Sequence, residues 1–149
     1  MKSMDDSGVV TRPGSGQITH RFRRLAGTGL IATLAAMAST TLAAGLAEAV
    51  GVDFEVPDGG EAIPLPGFAV MTGVFSVVGI VIAAALLRWS ARPAERFVQT
   101  AVSLTAISLV APLISSANTA TIIALVVLHL VAATVMIPAL ARSLRATTS

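Results

Sequence analysis

A single imidazole, His129, sits inside the apolar run ALVVLHLVAATVMIPAL at 124–140. Neutral histidine offers one hydrogen-bond donor and one acceptor, and it takes up a proton near neutral pH. In apolar surroundings it is therefore either a tie between helices or a proton-linked site. Four carboxylates, Asp53, Glu55, Asp58 and Glu61, fall within the nine residues from 53 to 61 of GVDFEVPDGGEAIPLPG, a density that invites a calcium ion. Their spacing is not that of an EF-hand loop, and a solvated acidic face is the plainer reading. Glu48, the one acid inside an apolar segment, stands near that segment's end, where water reaches it. With no cysteine in the chain, disulfides, thiolate metal sites and thiol redox chemistry are excluded together. A second histidine to pair with His129 around haem is missing from the apolar segments, and so are the G-x-S-x-G, H-E-x-x-H and paired-aspartate motifs. Neither an enzyme nor a bound cofactor or metal is expected.

The elements that hold these residues follow from composition. With 54% hydrophobic and 12% charged residues the chain falls outside the range of water-soluble domains. Four apolar segments, at about 25–50, 68–87, 97–116 and 121–140, each approach the roughly 20 residues needed to cross a bilayer. The expected fold is all-α: an antiparallel bundle of four transmembrane helices formed by 25–149, after a polar, disordered cytoplasmic tail at 1–24. In the first outer loop Val52, Phe54 and Val56 alternate with Asp53 and Glu55 before the turn signal Pro57-Asp58-Gly59-Gly60. That pattern predicts a short β-hairpin, with Pro64 and Pro66 confining its far arm to an edge.

If the segments alternate in direction, all ten basic residues share one side: Lys2, Arg12, Arg21, Arg23, Arg24, Arg88, Arg92, Arg96, Arg142 and Arg145. The positive-inside rule makes that side the cytoplasm, which places both termini and the RWSARPAER loop inside a plasma membrane. Trp89, Phe22 and Phe97 then sit at the inner interface and Phe68 at the outer one. A sequence pI near 10.5 thus reads as a topology signal, and no nucleic-acid partner is expected. A rival reading takes the first apolar segment, with Ala47 and Ala49 at its end, as a cleaved signal peptide. Its apolar part exceeds 20 residues where signal cores run to about 15, so retention as a helix is expected.

Inside the lipid every polar group needs a partner from the protein. Counted inward from the outer ends of the segments, Ser76, Ser108 and His129 come out about 12 Å deep and Thr41 slightly deeper. Pro112 lacks the N–H that would occupy the carbonyl of Ser108, which frees an acceptor there. Thr41, Ser76, Ser108 and His129 are thus expected to form one intramembrane polar layer. Its plain role is to tie helices together, alongside small-residue seams at Ala36, Thr40 and Ala44 and at Thr72, Ser76, Gly79 and Ala83. Its sharper role is a proton-linked or ligand-binding centre.

Arg88-Trp89, Arg92-Pro93, the Leu-Thr-Ala-Ile-Ser stretch at 104–108, and His129-Leu-Val-Ala-Ala with Pro138 resemble a family of small four-helix integral membrane proteins of unknown function found mainly in actinobacteria. The resemblance runs from about residue 25 onward and implies four helices and a plasma-membrane location, with no activity attached. The expected function is that of a non-enzymatic bundle, in contact with the lipid bilayer, that binds a protein or lipid partner or a second copy of itself. A transporter or carrier of a lipophilic ligand using the His129 layer is the alternative.

Overall fold

A computed structural model of the chain describes residues 15–55 and 62–148. Five helical segments make it up: α1 (Ser15–Ala49), α2 (Leu65–Trp89), α3 (Pro93–Ser108), α4 (Val110–Ile114) and α5 (Thr119–Thr148). The second short break falls within one span, because α3 and α4 continue each other across Leu109, so four spans, Gly16–Ala49, Leu65–Trp89, Pro93–Ile114 and Thr119–Thr147, are long and apolar enough to cross a membrane. Among the described residues there is no strand. The flanks of the expected hairpin meet at one isolated antiparallel bridge between Glu55 and Ala62, where the N–H of Ile63 donates to the carbonyl of Phe54 at 2.9 Å. The turn itself, with Asp58 and Glu61, lies outside the described residues.

Helix ends depart from the apolar limits for local reasons. α1 starts at Ser15, so 15–24, expected as part of the tail, is helical; the first 14 residues lie outside the described ones. ITHRFRR within that stretch contains no breaker, and helix formation needs no lipid. Pro66 falls in the first turn of α2, where a missing N–H costs nothing, so the prolines expected to limit a strand instead start a helix. Pro93 opens α3 in the same way. Asn118 caps α5 by accepting the N–H of Thr121 at 2.8 Å. The third span breaks at Leu109, directly after Ser108, where Pro112, four residues on, has no N–H to give to the Ser108 carbonyl.

α1 ends in a Schellman turn. Gly51 takes a φ of +90°, the N–H of Val52 donates to the carbonyl of Ala47 at 3.0 Å, and the N–H of Gly51 donates to that of Glu48 at 2.9 Å. The turned chain then drops Phe54 into the bundle, where it is 1% exposed and meets the ring of Phe68 edge-on at 4.8 Å.

Two apolar clusters hold the helices together. One gathers Ala44, Phe54, Leu65, Phe68, Leu125 and Leu128 at the acidic end, next to the 50–64 connection. The other runs from Ala36 and Met136 down to Leu25, Leu87, Ala94, Phe97 and Leu144 at the arginine end. α1 packs against both α2 and α5, with small residues letting backbones approach. A side chain at Gly29 would meet Ile80, one at Gly73 would meet Met37, and one at Gly45 would touch Leu65, so residue numbers rise along α1 as they fall along α2. The buried stripe of α1, Ala32, Ala36, Thr40 and Ala44, repeats every four residues, as one helix face must.

Candidate functional site

His129 lies on α5, half-buried, directly after Leu128 of the acidic-end cluster. Its Nδ1 is 2.9 Å from the carbonyl oxygen of Leu125, one turn earlier on the same helix. A carbonyl only accepts, so Nδ1 carries a proton in this contact. The other three residues expected in its layer behave as locally. Ser108 donates to the carbonyl of Thr105 at 2.8 Å, beside the break before Leu109. Ser76 is buried on α2, and the buried Oγ1 of Thr41 has no hydrogen-bond partner among the described residues. No hydrogen bond joins any two of the four.

Nor do all four keep a common level. Leu65 and Phe68 share a cluster with Leu125 and Leu128, while Leu86 and Leu87 share the other with Leu140 and Leu144, so α2 and α5 run the same way. Gly79 faces the Leu140 side chain, which puts Ser76 roughly 10 Å nearer the arginine end than His129. The cause is the start of α5, which stands roughly 8 Å beyond that of α2 and packs against the loop instead of a neighbouring span. There the hydroxyl of Thr121, 2% exposed, donates to the backbone carbonyl of Asp53 at 2.6 Å. Counting inward from helix ends cannot detect such an offset.

The polar contact that does cross between helices is Thr40 with Thr72, at 3.0 Å between hydroxyl oxygens. Thr40 gives its one proton to the carbonyl of Ala36 at 2.8 Å, so Thr72 must be the donor to Thr40. Both threonines lie in the small-residue seams legible from sequence, and their facing positions were the missing piece. The Asn118-x-x-Thr121 capping pattern was a second legible signal.

In the acidic loop Asp53 and Glu55 are exposed, and among the described residues no three His, Cys, Asp or Glu side chains come close enough to hold a metal ion. Two open apolar grooves lie on the outside of the bundle. One, between α1 and α2, is lined by Met37, Ala38, Thr41, Leu42, Gly45 and Ala69. The other, between α1 and α5, is lined by Ala43, Ala47, Val52, Ala124 and Leu128 among others.

The fold and these surfaces define a small helical protein with four spans suited to a membrane and an interior filled mainly by apolar and small side chains. It belongs to a family of unknown function, DUF6069, whose model matches residues 20–146. No curated protein and no solved structure matches the chain.

Proposed function

We propose that this protein is a plasma-membrane bundle of four antiparallel helices, cytoplasmic at both termini, that catalyses no reaction and acts by binding a protein partner or a second copy through α3. The observation that carries this reading is the surface of that helix. The α3–α4 span is as little buried as α2 yet less apolar than α2 or α5, and Gln99 and Ser103, four residues apart on one face, are exposed. In lipid such groups call for a polar counterpart, which a neighbouring protein helix supplies and an acyl chain does not. The antiparallel arrangement is supported by the falling register of α2 against α1, and the orientation by eight arginines gathered at one end. Against the carrier reading stand the outward-facing apolar grooves and the bond of His129 to its own helix.

A photo-crosslinking side chain at Ser103, activated in living cells, tests this. A discrete protein adduct, absent when the probe is moved to the exposed Val74 of α2, is the expected result. Adducts with lipid alone at both positions refute the partner-binding role. Single cysteines at the exposed Ala62 and Ala91 report orientation separately, with Ala62 reached by an impermeant maleimide from outside and Ala91 only after lysis.

A further inference from the structure

We infer that the arginine end of the bundle is a docking surface for anionic phospholipid headgroups of the leaflet in which it lies. Every described arginine stands within four residues of the same cluster that joins the helices there: Arg21 and Arg24 precede Leu25, Arg88 follows Leu87, Arg96 precedes Phe97, and Arg142 follows Ala141. Levels fixed by the Gly29–Ile80 and Gly79–Leu140 approaches put α1, α2 and α5 arginines within a slab about 10 Å thick. That matches the depth of a headgroup layer more closely than that of open water.

Most of the arginines in this slab have no carboxylate beside them among the described residues. Among the described residues its one acid is Glu95, which pairs with Arg92 at 3.4 Å across an exposed turn, while Arg21, Arg23, Arg24, Arg88, Arg96 and Arg142 have no carboxylate in reach. Topology alone requires only positive charge, and lysine would serve it. Yet lysine appears in the chain once, at position 2, and every basic residue along the spans and their connections is arginine. A guanidinium offers phosphate a planar, two-pronged donor set that an ammonium lacks. Trp89, 78% exposed beside Arg88, supplies the aromatic that favours the same interfacial depth. Arginines brought from separate helices around one apolar plug are the kind of basic cluster that selects anionic lipids.

The inference rests on the membrane topology proposed above and extends it to a lipid class. Its test is native mass spectrometry of the full chain in neutral detergent, titrated with phosphatidylglycerol or with phosphatidylcholine of the same acyl chains. Phosphatidylglycerol is expected to bind at least about tenfold more tightly, a preference that weakens as sodium chloride is raised. The fourfold variant R24Q/R88Q/R96Q/R142Q is expected to lose the preference. Equal binding of the two lipids, a preference indifferent to salt, or one unchanged in the variant overturns the inference. Glycerol phosphate competing as well as the lipid would show a site for free anions and overturn it too. If the variant does not fold, the salt series on the unaltered protein decides. Labelling of Ala62 and Ala91 from the same side would refute the topology itself, whereas opposite labelling with equal lipid binding refutes the lipid inference alone.

Discussion

Replacing Gly29 with alanine is expected to weaken the bundle, while the same change at Gly79 strengthens it. A Cβ at Gly29 would stand 2.8 Å from both Cδ1 and Cγ1 of Ile80. Carbon atoms pack at about 3.5–4.0 Å, so the pair must separate by roughly 0.7 Å or more. Ile80 cannot swing clear, because Cγ1 lies next to the branch point and χ1 of isoleucine in a helix has one strongly preferred setting. The strain falls on the spacing of α1 and α2, a form of overpacking that costs about 1–3 kcal/mol. Against it stands the gain in helix propensity from glycine to alanine, about 0.5–1 kcal/mol. The net at Gly29 is a loss of up to about 2.5 kcal/mol. At Gly79 the nearest atom is Leu140 Cδ1 at 3.9 Å, an ordinary contact, so only the propensity gain of about 0.5–1 kcal/mol remains. Gly73 lies between them, since its neighbour at 3.3 Å is the flexible Met37 sulfur, which yields easily. Unfolding in mixed micelles should therefore rank Gly79→Ala above Gly73→Ala above Gly29→Ala. Trimming Ile80 to alanine should restore part of what Gly29→Ala loses. A Gly29→Ala protein as stable as Gly79→Ala would refute the close approach of α1 and α2 on which the register rests.

Thr40→Val should cost more than Thr72→Val, because Thr40 both donates to Ala36 and accepts from Thr72; a double-mutant cycle in micelles should give a coupling of about 0.6 kcal/mol, and zero coupling would remove the interhelical bond. Gly51→Val should destabilise by about 1–2 kcal/mol, since a branched residue resists the +90° φ that closes the Schellman turn, while Gly51→Asn should cost much less on the same unfolding curve. His129→Leu should cost under about 1 kcal/mol at pH 7, because the Leu125 carbonyl keeps its helical partner when the imidazole is removed. A loss of several kcal/mol in the micelle assay would show that the ring holds more than its own helix.

Sequence alone conveys the number of spans and much of the packing face of α1, because both follow from periodic properties of single segments. Four apolar runs of membrane length had to be helices, and Ala36, Thr40 and Ala44 at fourfold spacing had to share a face. Proline chemistry was equally local, so the break after Ser108 follows from Pro112 alone. Offsets between segments are another matter. Ser76 and His129 are level only if all helices begin at one plane, and the plane fails because α5 rises past α2 to meet Asp53 through Thr121. The burial of Phe54 depends in turn on the direction given by the Gly51 turn and on the space beside Phe68, neither of which a hydropathy pattern encodes. Helix extensions at 15–24 and 141–148 were missed for a related reason: apolarity ends at the headgroups, but helix does not.

Comparing the spans explains why hydroxyls are tolerated in α1 and not so easily in α3. α1 is the most buried of the four and, with α3–α4, among the less apolar, since a helix enclosed by α2 and α5 faces protein on much of its circumference. Its hydroxyls are also largely satisfied within the helix: Thr33 donates to Gly29, Ser39 to Ala35 and Thr40 to Ala36. The third span has comparable polarity without comparable cover. Ser108 donates back to Thr105, but Gln99 and Ser103 remain on an exposed face with no described partner. An amide, with two donor hydrogens and a carbonyl oxygen, is harder to satisfy from its own helix than a hydroxyl, which can fold onto the carbonyl one turn back. Apart from Thr41, whose buried hydroxyl has no partner among the described residues, the polarity of α1 is therefore largely accounted for inside the bundle, whereas the exposed polar face of α3 is what the proposed partner would cover.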